Sequence, residues 1–151
     1  MSIVYLIIKY IHIFSAIVAV GANITYAVWN ARSASEPAHL GFTLKGIQFI
    51  DNRIANPAYG VLLLTGLVLV FAGSWGFKLW VVVALVLFVV VAILGFAVFT
   101  PLLRNQIRLV DAGDTASPEF ARLANRSRTL GPILGLLTAI ILVMMVFKPT
   151  L

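Results

Sequence analysis

IVYLIIKYIHIFSAIVAVGANITYAVWN, residues 3–30, is the stretch whose reading decides the class of this protein. It exceeds the roughly 20 helical residues needed to cross a hydrocarbon layer of about 30 Å, so it is expected to tilt or to project past the headgroups. At about 100° per residue, Lys9, His12, Ser15, Ala16, Ala19, Asn23, Tyr26 and Asn30 fall within one arc of roughly 120°. The rest of the circumference is mostly Ile, Val, Leu, Phe and Ala. Lipid gives a helix no reason to gather its polar and small residues on one stripe. Such a stripe is expected to face other protein, water or a ligand.

Working outward, three more runs are long enough to span, at 54–73, 77–100 and 130–147. Of the 151 residues 62% are hydrophobic and 11% charged, against about a quarter charged in a soluble domain. The expectation is an all-α polytopic membrane protein. Residues 1–151 form a single four-transmembrane-helix bundle with short cytoplasmic amphipathic helices and no separate soluble domain. Cysteine is absent, which removes disulfides, thiolate metal sites and cysteine nucleophiles. The net charge of +6 resides in the loops, where it reads as topology signal and lipid-headgroup contact rather than as a nucleic-acid surface.

The connections 31–53 and 101–129 carry Arg32, Lys45, Arg53, Arg104, Arg108, Arg122, Arg126 and Arg128, whereas the other side has Lys9, Lys78 and Lys148. The positive-inside rule then predicts cytoplasmic connections and both termini outside, in a bacterial inner membrane. Tyr5, Tyr10, Trp75 and Trp80 suit one interfacial belt, and Tyr26, Trp29 and Tyr59 the other. The turn Gly73-Ser74-Trp75-Gly76 joins the second and third spans. The N-terminal run has no basic n-region and no cleavage pattern after a short core, so it is expected to be a retained span.

Leu40, Leu44, Ile47, Ile50 and Ile54 recur at helical spacing, which predicts an amphipathic helix on the membrane surface or running into the second span. Pro57 falls in the first turns of that span, where it starts the helix or kinks it. The third helix is expected to continue past Pro101 through Leu103, Ile107 and Val110 and to break at Ala112-Gly113-Asp114. Ser117-Pro118-Glu119 reads as an N-cap, a first-turn proline and an early acid, opening a short basic helix that ends near Gly131.

His12 leads the candidates for chemistry. It lies about 12–14 Å from the outer end of its helix, deep enough that the neutral imidazole is the expected form. A neutral imidazole there serves as a metal or haem-iron ligand, as a link in a proton path, or as a hydrogen-bonding partner of a neighbouring helix. Lys9, one turn outward, either snorkels to the headgroups or pairs with an acidic ligand group such as a haem propionate. Asn23 and Asn30 continue the stripe as helix–helix glue. Arg53, Asn56 and Gly60 share a face of the second span, with Asn56 placed to bond carbonyls freed by Pro57. Gly131 and Gly135 form a Gly-x-x-x-Gly close-packing signal. Met144 and Met145 reach the depth of His12, as thioether ligands or as core filler.

No run assigned as a span contains Asp or Glu, which argues against a carboxylate-based ion carrier. No acid–base pair, nucleophile–histidine pair or phosphate-binding glycine loop occurs. The third span is almost uniformly apolar and reads as structural.

Lys9-x-x-His12 with the polar, glycine-containing face that follows it resembles a broad group of small bacterial four-helix membrane proteins. So do Asn56-Pro57 opening the second span, Gly66 within it, Trp80 opening the third, and the terminal Met145-Val146-Phe147-Lys148-Pro149. The group includes the copper-resistance D proteins and the HemJ-type protoporphyrinogen oxidases, and the nearest resemblance is to a domain-of-unknown-function family of predicted integral membrane proteins. The HemJ resemblance implies b haem with a first-helix histidine on the iron, and His12 is the matching position. Where the HemJ pattern continues with Leu-Pro-Arg, this chain has Asn23-Ile24-Thr25-Tyr26-Ala27-Val28-Trp29.

The leading expectation is therefore a haem b-associated protein in electron transfer or haem handling. His12 would be the iron ligand, with Lys9, Asn23, Met144 and Met145 as cofactor-binding candidates. The site would be five-coordinate, take Met144 or Met145, or be completed by a histidine of a second copy or larger membrane subunit. The alternatives are a non-catalytic accessory subunit of a membrane complex, a porphyrinogen oxidase or a copper-handling protein.

Overall fold

The computed structural model describes residues 2–73 and 76–149. Four long helices carry the chain: α1 (Ile3–Ser35), α2 (Pro37–Ala72), α3 (Leu79–Asp111) and α4 (Pro118–Phe147). Each is long and apolar enough to cross a membrane, and there is no strand among the described residues. Ser74 and Trp75, and with them the centre of the tight turn and one belt aromatic, lie outside the described residues.

Local chemistry sets most of the boundaries. Ser2 caps α1 by accepting from the Tyr5 amide at 3.3 Å, and Ser117 caps α4 by accepting from the Phe120 amide at 3.2 Å. After Asp111, Gly113 takes a φ of 74°, a left-handed conformation that side chains resist. There the amide of Asp114 reaches back to the Leu109 carbonyl at 2.9 Å and closes the helix end.

Of the two outcomes foreseen for the amphipathic stretch, the helix runs straight into the second span. The α-helical segment Leu40–Ile50 passes through a widened turn, Asp51–Ala55, into Asn56–Ala72. The third helix does the same: Leu79–Ile93, a widened turn at Leu94–Phe99, then Thr100–Asp111. Both widened turns end two residues before a proline, just ahead of Asn56-Pro57 and Thr100-Pro101. There the amide bonds five residues back, Asn56 to the Asp51 carbonyl and Thr100 to the Gly95 carbonyl. A proline in a regular helix would press its ring on the carbonyl four residues earlier. A π-type turn admits one surplus residue and relieves that contact without breaking the helix. The fourth helix departs from expectation. No separate short basic helix ends near Gly131; α4 continues through Gly131 and Pro132 as one element.

The helices associate as two pairs. α1 lies along α2 and α3 along α4, while the first half of α2 packs on the last third of α3. The core sits toward the connection side of the bundle, around Ala22, Tyr26, Leu44, Ile47, Ala55, Phe99, Leu103 and Ile107. A smaller cluster of Leu102, Leu109 and Leu123 closes that end. Ile3, Val4, Ile7, Phe71, Val146 and Phe147 at the opposite end are exposed, as lipid contacts require. α1 and α4 touch sparingly, and the space between the pairs is open.

Candidate functional site

The polar stripe of α1 does two things. Its outer part faces α2. Nδ1 of His12 lies 3.1 Å from the Leu62 carbonyl oxygen and 3.1 Å from Oγ1 of Thr65. A carbonyl only accepts, and the Thr65 hydroxyl already donates to the Val61 carbonyl at 2.6 Å. The proton therefore belongs on Nδ1, which donates to the Leu62 carbonyl. Nε2 is left unprotonated, without a hydrogen-bond partner among the described residues. The ring fits because residue 66 is glycine: a Cβ there would stand 2.9 Å from Cε1 of His12.

The inner part of the stripe lines a cavity. A slot of about 920 Å³ runs between the helices, with all four in its walls, from Val20 to Ala34 of α1 and from Ala124 to Leu142 of α4. At 1.5 Å per residue that is about 21 Å along one wall and about 27 Å along the other. Ile24 and Phe96 line the slot yet are 61% and 52% exposed, so it opens sideways to the lipid-facing surface.

Asp51 stands in the wall of this slot, 7% exposed. The Tyr26 hydroxyl donates to Oδ1 at 3.4 Å; Nδ2 of Asn56 and the Thr100 hydroxyl donate to Oδ2 at 3.4 Å and 3.2 Å. Three donors leave room for a fourth on a carboxylate, and no cation lies within ion-pair distance of it among the described residues. The two widened turns build the cluster, since Asp51 opens one and Thr100 follows the other. Further out, Nδ2 of Asn23 donates to the Tyr59 hydroxyl at 2.7 Å, and the Tyr59 ring meets Phe88 edge-on at 6.0 Å. Toward the connections, Gln106 is 4% exposed and its Oε1 has no hydrogen-bond partner.

Of the residues singled out from sequence, Asn23 and Asn30 line the slot; His12, Lys9, Met144 and Met145 do not. Lys9 is exposed, and the two methionines are half-buried near the end of α4. Asn56 bonds Asp51 rather than a carbonyl freed by Pro57. Gly131 and Gly135 are not a close-packing pair within the chain: a Cβ on either would meet nothing within 4 Å, and both border the slot. The third span is more than structural, because Val91, Gly95 and Phe99 form part of the wall. The runs assigned as spans hold no acidic residue, but Asp51 lies three residues before the second of them, buried in the same continuous helix. Its signal was there: Asp51 lies seven residues after Leu44 and four after Ile47, on the buried face of the amphipathic stretch. No group of His, Asp and Glu among the described residues could hold a metal ion by itself.

The sequence matches, over residues 6–149, the model of a family described as predicted integral membrane protein (DUF2269). The chain belongs to that family. The matched range takes in every residue of the slot and of the His12 seam. No curated protein and no solved structure matches the chain.

Proposed function

We propose that this small integral membrane protein binds an amphipathic molecule taken from the bilayer, held in the slot that all four helices line. One observation carries the reading: a buried carboxylate with three donors is set in the wall of a long cavity whose remaining lining is mostly apolar. Burying Asp51 without a cation is costly unless the arrangement serves something. Cavities of about 300–1,000 Å³ with a few convergent polar groups are the usual form of a small-molecule site. Gly135 gives the test, since a side chain there enters open space. The purified wild-type chain should carry a stoichiometric organic ligand, found on solvent extraction and mass spectrometry, and Gly135→Trp should lack it. Equal yields from a folded Gly135→Trp, or no extractable ligand from either, sink the reading.

A second reading rests on His12. With Nδ1–H on the Leu62 carbonyl, Nε2 has the tautomer and orientation that a backbone hydrogen bond gives metal-ligating histidines. This supports b haem on His12, in electron transfer or haem handling. The remaining axial position falls to a second copy or a larger membrane subunit, since the slot does not reach the ring. A Soret band in protein expressed with ample haem, abolished in His12→Ala, is the expected result; a colourless preparation counts against it.

For orientation, we place the two basic connections in the cytoplasm and both termini outside, in a bacterial inner membrane, on the distribution of Lys and Arg. Because the chain has no cysteine, single cysteines at Ser2 and Asp114 report sidedness directly through an impermeant maleimide. In intact cells, labelling at Ser2 and not at Asp114 is expected.

A further inference from the structure

The slot is not uniform along its length, and its polar end says what kind of head it would take. Arg128 and Ser127 of α4 and Gln106 of α3 line it toward the connections, while the other end is walled by such residues as Val20 and Leu142. Arg128 has no ion-pair or hydrogen-bond partner among the described residues, although Arg108, one helix away, has Glu119 at 3.9 Å. Gln106 is 4% exposed, and one end of its amide is unpaired. An orphaned buried amide is an uncommon expense in a folded chain and points to a missing partner. Whichever way that amide is turned, a hydroxyl satisfies it, because a hydroxyl both donates and accepts.

Resting on the slot as a binding site, we infer that its occupant is an anionic lipid with a hydroxyl-bearing headgroup. The phosphate lies at Arg128 and Ser127, a headgroup hydroxyl on Gln106, and an acyl chain runs on toward the apolar end at Val20 and Leu142. A guanidinium suits a phosphate through paired N–H donors. A slot about 21–27 Å long fits a chain-shaped body better than a compact one. Its sideways opening at Ile24 and Phe96 admits such a molecule without passage through water.

The test is native mass spectrometry of the full chain in detergent. Phosphatidylglycerol, phosphatidylmethanol and phosphatidylcholine of identical acyl chains are supplied in equal amounts. The wild type should retain one phosphatidylglycerol about tenfold over phosphatidylcholine, the scale of one charge-assisted hydrogen bond. It should hold phosphatidylmethanol, which has the phosphate and lacks the hydroxyls, at an intermediate level. Arg128→Gln should abolish the preference for both anionic lipids, Gln106→Leu should make those two equal, and Arg126→Gln, outside the slot lining, should change neither ratio. Circular dichroism and thermal midpoints establish that each variant is folded. If Gln106→Leu is not, the wild-type ratio of phosphatidylglycerol to phosphatidylmethanol decides the hydroxyl alone. Equal retention of all three lipids, or a preference that survives Arg128→Gln, overturns the ligand class and leaves an occupied slot standing. Retention of no lipid, with nothing extractable from the wild type, overturns the slot reading as well.

Discussion

Gly66 of α2 lies directly beneath the His12 ring of α1, so close that a Cβ on it would stand 2.9 Å from Cε1. The α1–α2 seam is therefore fixed by a pair in which one partner has no side chain and the other donates to the backbone beside it. Gly66→Ala should force the ring away from the Leu62 carbonyl and cost about 1–3 kcal/mol, as overpacking does. In His12→Ala the same substitution should cost much less. A double-mutant cycle by thermal or denaturant unfolding in detergent checks this, and simple additivity would show the contact to be unimportant.

Gly135 gives the opposite expectation. Its Cβ would meet nothing within 4 Å, and alanine is the better helix former by about 1 kcal/mol in a helix interior. Gly135→Ala should leave the thermal midpoint equal or raised, whereas Gly66→Ala lowers it.

At Asp51 the three donors make the sign clear. Asparagine keeps one accepting oxygen and loses the charge-assisted bonds of the carboxylate, which the Tyr26 and Thr100 hydroxyls, able to accept as well as donate, only partly replace. Asp51→Asn should therefore destabilise by about 1–3 kcal/mol. Tyr26→Phe removes one donor and keeps the ring that stacks on Phe99 at 6.0 Å, so it should cost about 1 kcal/mol. Unfolding midpoints of the two variants side by side measure the order.

The shortest ion pair contributes little. Lys45 and Asp111 meet at 2.6 Å, but both side chains are more than half exposed. Lys45→Ala should shift stability by only about 0.2–1 kcal/mol, and less at high salt. A titration of the unfolding midpoint against salt for both proteins is sufficient.

The four spans, the run of the amphipathic stretch into α2, the passage of α3 through Pro101 and the cap at Ser117 were legible in the sequence. Each depends on hydropathy or on a few adjacent residues. Asp51 was hidden by where the second span was taken to begin, three residues after it. Its partners Tyr26, Asn56 and Thr100 come from three helices, and only two widened turns bring them together. Gly131 and Gly135 show the converse difficulty. Gly-x-x-x-Gly reads the same whether a neighbouring helix lies against it or a cavity does, because the pattern records only the absence of side chains. His12 stood out because imidazole is rare in a span; its dependence on Gly66 is a matter of helix pairing, which spacing along one chain does not reveal.

Because the slot opens between helices at Ile24 and Phe96, an occupant exchanges with the surrounding membrane. Its occupancy then follows the mole fraction of that molecule among the lipids and is indifferent to the volume of water outside. Dilution of cells or vesicles leaves such a site filled. Dilution with detergent micelles, which thins the two-dimensional reservoir itself, empties it.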